Sequence, residues 1–377
     1  MSRQAAPVAV LPSDGDYAAL LPRLLGLAEA GEVVRPGHRV LIKPNLHAPQ
    51  HWTTGGTTNP ALVAALIDWA RARGAREVVV GDSPFRGNPR PDETFIRTGM
   101  AEAVEAHGAQ WRVLTRHGFR RFRHASPHLP RELGISRLAL EADCLVDVAV
   151  AKTHIDCLVS LGMKNLKGCI RDADKAAFHA ELDIDRAIVA LARLLRPHLT
   201  LVDATCGMEG IGPGAGRPVG LGGLVAGRRT PAVDAVAAEA MGVGIEEART
   251  LRFAREESLL EGGGPGRVVG HDLAGIRRRF ERPDEAMARE MPGLRLQAQG
   301  ACSACKLNVV RALRDNRHAG VPLPRALVVV GNRPPAEPRA ICLGQCTRDH
   351  WTSHPHLEGC PPSVAAVRQF LAALPPA

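Results

Sequence analysis

The chain has 377 residues, of which 45% are hydrophobic and only 3% aromatic, so it is long enough for two or three domains with cores of Ala, Leu and Val. No apolar run reaches the roughly 18 residues that span a bilayer, and residues 1–4 lack a secretory signal pattern, so we expect a cytoplasmic protein without a membrane partner. The net charge is +9, but the basic residues are scattered and aromatic stacking partners are few, which argues against a nucleic-acid partner.

The N-terminal part of the chain alternates short apolar strands with helices. The periodicity predicts strands at 8–11, 37–43 and 77–81, with helices at 17–30 and 60–73 between them. This alternation is typical of an α/β protein with a mostly parallel sheet and flanking helices.

Polar side chains follow two of these strands directly. Lys43 and Asn45 come after the second strand, and Asp82 and Ser83 come after the third. Ligands of parallel α/β sheets bind beyond the carboxyl ends of the strands, so we expect these four residues to bind substrate. The alternative is ordinary turn chemistry, which also favours Asn, Asp and Ser.

A further strand is predicted at 143–151, after a helix near 94–107 and a strand at 110–114. It is apolar enough to be central in the sheet, and Lys152 and His154 follow it. Histidine titrates near neutrality, so His154 is expected to transfer protons.

Lysine is scarce in this chain and concentrated after that strand. Only six of the 48 basic residues are lysine, and four of the six lie between residues 152 and 175. A buried ammonium group is a compact donor with an adjustable pKa, so the clustering favours a site rather than chance. We expect catalytic roles for Lys152, His154, Lys164, Asn165 and Lys167, and substrate binding by His179.

A glycine-rich loop at 207–216 follows a predicted strand that ends at Asp203. Glycine lets backbone amides approach an anion, so Gly212 and Gly214 are candidates for substrate binding. The phosphate-loop interpretation is weak, because no helix opens after the glycines. Glu209 is a candidate catalytic base, with Asp203 as its alternative.

The C-terminal segment is rich in cysteine. Cys302 and Cys305 form C-x2-C, Cys342 and Cys346 form C-x3-C, and Cys360 precedes proline. Iron–sulfur clusters and structural zinc both use such spacings, and core or redox thiols are a third interpretation. Four thiolates are enough for a 4Fe–4S cluster. We select Cys302, Cys305, Cys346 and Cys360, because Cys342 falls in a short apolar stretch typical of a buried strand.

Two domains are expected from these patterns. Residues 1–292 are predicted to form the α/β body, and residues 293–377 a small cysteine-rich α/β metal-binding domain. Within the second, the pattern indicates a helix at 305–317, a strand at 326–331 and a closing helix at 362–374.

Several segments in the right order resemble the domain-of-unknown-function family 362 (DUF362), over residues of about 38–242. They are Val40-Leu-Ile-Lys-Pro-Asn45, Thr58-Asn-Pro60, Val80-Gly-Asp-Ser83, Ala151-Lys-Thr-His154, Leu161-Gly-Met-Lys-Asn-Leu-Lys-Gly168, Met208-Glu-Gly-Ile-Gly-Pro-Gly214 and Ala232-Val-Asp234. The tail, with Gly344-Gln-Cys346 and Gly359-Cys-Pro-Pro362, looks similar to the cluster-binding tail of some family members. The resemblance implies that Cys346 is a ligand; it implies a cofactor but no substrate.

The expected function is an iron–sulfur enzyme that performs redox or lyase chemistry on an anionic small molecule, with an electron-donor protein as a further partner. A non-catalytic electron carrier or binding module is one alternative. A zinc-stapled enzyme without redox activity is another.

Overall fold

The computed structural model describes residues 6–84 and 90–374. The N-terminal residues 1–4, on which the expectation of no signal sequence rests, lie outside these ranges. Within the described ranges, no helix combines the length and the apolar character needed to cross a bilayer.

The described residues form sixteen strands. In chain order they are β1 (Val8–Pro12), β2 (Arg39–Pro44), β3 (Glu77–Asp82), β4 (Gln110–Val113), β5 (Phe119–Arg123), β6 (Glu132–Ser136), β7 (Cys144–His154), β8 (Leu158–Ser160), β9 (Leu199–Glu209), β10 (Arg217–Val219), β11 (Gly223–Gly227), β12 (Val268–Gly270), β13 (Leu296–Gln297), β14 (Leu327–Val330), β15 (Ala340–Leu343) and β16 (His356–Leu357).

The same residues form thirteen α-helices. They are α1 (Tyr17–Leu27), α2 (Pro60–Ala72), α3 (Pro91–Arg97), α4 (Met100–Ala106), α5 (Arg137–Glu141), α6 (Gly162–Asn165), α7 (Asp172–Ala180), α8 (Ile184–Leu195), α9 (Thr230–Ala240), α10 (Arg249–Glu256), α11 (Pro283–Glu290), α12 (Ser303–His318) and α13 (Val364–Ala373).

Local sequence fixes the starts of the longer helices. The Asn59 side chain accepts a hydrogen bond from the Ala61 amide, and Pro60 occupies the first position of α2. Asp183 caps α8 in the same way, by accepting from the amides of Asp185 and Arg186. The cap at Asn59 agrees with the helix predicted at 60–73.

The large sheet has the order β12-β1-β11-β9-β7-β2-β3-β4, with β10 added to β9 and β8 added to β7. The run β9-β7-β2-β3-β4 is parallel throughout, whereas β11 is antiparallel to both of its neighbours. The prediction of a mostly parallel α/β sheet is therefore confirmed. The parallel run brings five strand ends to one edge, where the site lies.

The sequence analysis did not predict every element. Residues 115–136 contain a two-stranded hairpin, β5 with β6, and β12 pairs with β1 at the edge of the large sheet. Both additions are short strands at the periphery, where weak alternation gives little sequence signal.

Hydrophobic helices cover both faces of the sheet. Val146 and Val148 of β7 pack into one cluster with α1, α2 and α4, while Ala149 and Ala151 pack into another with α8 and α9. Because β7 is buried on both faces of the sheet, its sequence is a nearly continuous apolar run.

The cysteine-rich segment has its own four-stranded parallel sheet, in the order β13-β14-β15-β16, with α12 and α13 packed together beside it. Its hydrophobic cluster also includes Ile211 and Ala215 from the glycine-rich loop. The tail therefore packs directly on the edge of the body that carries the strand ends.

Candidate functional site

The carboxyl ends of β2, β3 and β7 surround a cavity of about 140 Å³. We call it the lysine cavity, because five of the six lysines of the chain line it: Lys43, Lys152, Lys164, Lys167 and Lys175. A cavity of similar volume in another protein binds benzene, so a ligand of roughly six non-hydrogen atoms would fill it.

Most of the other predicted polar residues line the same cavity. They are Asn45, Asp82, Ser83, His154, Asn165 and His179. Residues far apart in sequence meet here because β7, β2 and β3 are adjacent and parallel.

Lys43 and Asn165 form a fixed floor. The Lys43 ammonium group is fully buried, lies 2.8 Å from a carboxylate oxygen of Asp82, and donates to the Asn165 side-chain oxygen at 3.0 Å. The same oxygen accepts from the Asn45 amide at 2.9 Å. Asn165 in turn donates to the Asp147 carboxylate at 2.8 Å. Asn165 therefore positions its neighbours, because its amide group is already engaged on both sides.

Glycine at 168 makes room for this floor. A Cβ atom there would lie 2.0 Å from an Asp82 carboxylate oxygen and 2.7 Å from Cε of Lys43. Any other residue would force the buried ion pair apart.

Lys152 and Lys167 have unusual electrostatics. Burial, followed by the nearby charge of Lys164, lowers the pKa of each ammonium group to about 7. Lys152 donates to the Asn45 side-chain oxygen at 2.7 Å and to the Gly56 carbonyl at 2.8 Å. Near neutral pH both lysines can exchange a proton, and a bound anion would favour their charged forms.

His154 does not have the titration behaviour that the sequence analysis expected. It is 1% exposed, and burial, together with the charge of Lys164, holds the pKa of the imidazole well below its usual value. Its Nδ1 atom accepts from the amides of Asp156 and Cys157 at 3.0 and 3.3 Å. The proton of the neutral ring is thereby assigned to Nε2, which has no hydrogen-bond partner among the described residues. His154 is thus a fixed hydrogen-bond donor rather than a titrating acid or base.

His179 and Ser83 occupy the sides of the cavity. Nε2 of His179 lies 2.8 Å from Nζ of Lys167. The Ser83 hydroxyl accepts from the Thr115 amide at 3.1 Å. Ser83 thus also anchors the segment that follows β4.

Glu209 lies away from this cavity. Its carboxylate is 3.0 Å from Arg217 on the neighbouring strand β10 and accepts from the Glu281 amide at 2.8 Å. Asp203 accepts from the amide and hydroxyl of Thr205, and it too is absent from the cavity lining.

The glycines of the 207–216 loop serve close packing. A Cβ at Gly212 would lie 2.0 Å from the Thr153 carbonyl oxygen, and one at Gly214 would lie 3.0 Å from the Arg311 guanidinium. Neither glycine lines the cavity, although Pro213 between them does.

The sequence analysis did not select His47 or Ser160, which also line the cavity. Lys43, Asn45 and His47 are spaced two residues apart along an extended segment, which puts their side chains on one side. That alternation was the available signal for His47. Burial, followed by the charge of Lys152, lowers the pKa of His47 well below its usual value.

Four cysteines line a second, smaller cavity of about 50 Å³, which we call the cysteine cavity: Cys302, Cys305, Cys346 and Cys360. Burial, then the proximity of the other three thiols, raises the pKa of Cys305. Cys342 lies within β15, fully buried and outside this cavity.

The donor set of the cysteine cavity fits a sulfur-ligated cluster. Thiols from three separate segments face one space, and a Cβ at Gly344 would come within 3.2 Å of the Cys305 sulfur. Within residues 6–84 and 90–374, however, no three His, Cys, Asp or Glu side chains are grouped so that they could hold a metal ion, so the four cysteines stay predicted ligands.

The two cavities share a wall. Ala176, Cys302 and Pro361 line both cavities. Helix α12 is held there because Asp156 accepts hydrogen bonds from Ser303 and Lys306. This contact joins the tail to the loop after β7, and local sequence patterns give no sign of it.

Comparisons with known proteins match the body of the chain. A family model described as "Domain of unknown function (DUF362)" matches residues 40–239. The thylakoid-associated protein sll1697 of Synechocystis sp. is 30% identical over 226 residues, which span 58% of this chain and 68% of that protein. The matched family residues include the five cavity lysines and end before the five cysteines of the C-terminal segment, so membership of a cysteine-tailed subgroup stays a prediction. Cytoplasmic location stays a prediction too, since the name of this relative associates it with thylakoids.

One solved structure is similar over most of the chain. The lactate racemase apoprotein from Thermoanaerobacterium thermosaccharolyticum matches with a TM-score of 0.41 and 14% identity, over 92% of this chain and 70% of the racemase chain. At that level of similarity, the racemase indicates nothing about the chemistry of this site.

Proposed function

The chain belongs to the DUF362 family, and from that premise we propose that it is an iron–sulfur enzyme that performs redox chemistry on a small anion bound in the lysine cavity. One observation carries the proposal: Cys302 and five lysines line the same cavity. A redox centre held by the cysteines would then adjoin the bound anion.

The charge of the lysine cavity favours an anion. Two of its five lysines are paired with carboxylates, Lys43 with Asp82 and Lys175 with Asp172. Lys152 and Lys167 interact with neutral groups, an amide oxygen and an imidazole. An anionic ligand would supply the missing negative charge and bring both lysines into their charged state.

The four thiols of the cysteine cavity are the proposed ligands of a 4Fe–4S cluster. When bound, such a cluster supplies single electrons at low potential. Cys346 and Cys360 are exposed, whereas Cys302 adjoins the lysine cavity. The thiol set therefore extends from the protein surface, where an electron-donor protein would dock, to the anion site.

The residues of the cavity have distinct proposed roles. Lys152 and Lys164 bind the anion and offset charge that increases during reduction. The Nε2–H group of His154 donates to an oxygen on which negative charge develops; a neutral imidazole can act as such an electrophile. Lys167, with its pKa of about 7, donates a proton.

Absorption and metal analysis of anaerobically purified protein test the proposal. We expect a broad band at roughly 400 nm that dithionite bleaches, with about four irons per chain. A colourless protein with one zinc per chain would overturn it and favour the zinc-stapled alternative.

Binding to the lysine cavity is tested separately, with oxalate as a probe of suitable size and charge. Calorimetry should detect oxalate binding to the wild type, and Lys164→Met should lose it while retaining its iron. Equal oxalate binding by both proteins would overturn the proposed anion site.

A further inference from the structure

We propose that Lys167, His179 and Asp156 form a proton-delivery route, which leads from an open polar cleft to the lysine cavity. This inference rests on the proposed function, because it describes how the same site is supplied with protons.

The route begins at a second polar space beside the lysine cavity. This polar cleft has a volume of about 360 Å³ and is lined by polar side chains that include Asp156, Asp183, Asp185, Lys306 and His179. His179 lines both the cleft and the lysine cavity. The imidazole ring therefore stands between them.

The contacts on the two sides of the ring are those of a relay. On the cavity side, Nε2 is 2.8 Å from Nζ of Lys167. On the cleft side, Nδ1 is 3.9 Å from a carboxylate oxygen of Asp156. A carboxylate at this distance stabilises the ring when it carries a second proton.

Asp156 is itself fixed in place. Its side chain is 6% exposed, its carboxylate accepts from Ser303 and Lys306, and its backbone amide donates to Nδ1 of His154. It therefore orients His179 and also holds the tail against the body. Its role in the route is positioning, since it does not line the lysine cavity.

The proton transfer along the route conserves protons and charge. The transfer starts with Lys167 neutral and the ring proton of His179 on Nε2, so that Nε2–H faces the amine. Nδ1 takes up a proton from solvent in the cleft while the Nε2–H bond breaks and that proton passes to Nζ of Lys167. The ring ends neutral with its proton on Nδ1, the ammonium group then gives a proton to the bound anion, and no electron moves.

Several other groups influence the protonation of Lys167 and His179. The pKa of Lys167 is influenced by the charges of Lys164, Cys157, Asp156 and Lys175. The charge of His179 also influences the pKa of His154. Lys152 contacts Asn45 and Gly56 and has no part in the route, so it provides an internal control.

Proton exchange measured by nuclear magnetic resonance tests the route without a substrate or a cluster. Because the chain has only six lysines, labelling lysine with ¹⁵N at Nζ gives a spectrum in which Lys167→Arg identifies the Lys167 signal by its loss. A histidine relay typically contributes on the order of 10²-fold, so His179→Gln should slow exchange of the Lys167 ammonium protons with water by about that factor. Exchange at Lys152 should stay unchanged in the same sample.

Rescue distinguishes a relay from a structural role. Added imidazole should restore fast exchange at Lys167 in His179→Gly, and Asp156→Asn, which keeps the ring, should slow exchange to an intermediate degree. Wild-type exchange at Lys167 in His179→Gln, or equal slowing at Lys152, would overturn the route. If the protein contained no iron but still gave the expected exchange rates at Lys167, the redox function would be overturned and the proton route would be retained.

Discussion

The lysine cavity and the cysteine cavity meet at Cys302, yet they are stabilised differently. In the lysine cavity, buried ammonium groups already have hydrogen-bond partners within the chain, as Lys43 has in the Asp82 carboxylate and Lys152 has in the neutral amide of Asn45. In the cysteine cavity, the thiols face one another, and proximity adds to burial in raising the pKa of Cys305. The first cavity is therefore preorganised before any ligand arrives, whereas the second depends on what the thiols bind.

The largest effect should follow from removing a thiol of the cysteine cavity. Cys305→Ala should reduce iron from about four atoms per chain to almost none, because a cubane cluster needs its cysteine ligands. Cys342→Ala is the matched control, since Cys342 is also buried but lies outside the cavity. Iron analysis checks both, and equal loss in the two variants would refute the proposed ligand set.

Removing the charge of Lys43 from the lysine cavity should lower the stability of the folded protein and leave its iron content unchanged. Lys43→Met leaves the Asp82 carboxylate buried without its cation, which should lower the free energy of unfolding by about 3–5 kcal/mol. Urea denaturation checks this. Adding Asp82→Asn should recover part of the loss, and a cost below about 1 kcal/mol for Lys43→Met would contradict the preorganised floor.

The pH dependence of anion binding should be smaller but specific to the lysine cavity. Lys152 and Lys167 have a pKa of about 7 and must be charged to bind an anion well. Oxalate stays dianionic over this range, so binding should take up protons near neutral pH, and affinity should fall by up to about tenfold per pH unit per lysine as the pH rises above 7.

Calorimetry in buffers with different ionisation enthalpies measures this proton uptake. Lys152→Met should take up fewer protons than the wild type. Oxalate affinity that stays constant from about pH 6 to about pH 9 would contradict the lowered pKa values of these lysines.

The smallest effect is expected at Glu209, which the sequence analysis proposed as a base. Its charge is balanced by Arg217 at 3.0 Å, and it does not line the cavity. Glu209→Gln should therefore change oxalate affinity by less than about twofold, whereas Lys164→Met should nearly abolish binding. If Glu209→Gln weakened binding as strongly as Lys164→Met, Glu209 would belong to the site after all.

The sequence predicted the parts of the site that follow from local pattern. Apolar strands at β2, β3 and β7 identified Lys43, Asp82 and Lys152, since parallel strands end at one edge. The scarcity of lysine outside this region pointed to the same place. Gly212 and Gly214 do not line the cavity, because glycine also serves close backbone packing, as the approach of Gly212 to the Thr153 carbonyl illustrates.

The remaining features depend on contacts between distant segments. Glu209 was assigned to the site because it follows a strand, but β10 pairs with that strand and brings Arg217 to it. The meeting of Cys302 with the lysines depends on Asp156 holding α12, which joins residues about 150 positions apart. His154 was expected to titrate, and only its contacts with two backbone amides assign its proton to Nε2.

The most direct test of the account is whether a bound anion lies beside the cluster. We would reduce the protein with dithionite, add ¹³C-oxalate and record pulsed electron paramagnetic resonance spectra. The account predicts an iron–sulfur signal with a ¹³C coupling, which Lys164→Met should abolish while retaining the signal. A protein without an iron–sulfur signal, or one that binds oxalate without any ¹³C coupling, would contradict it.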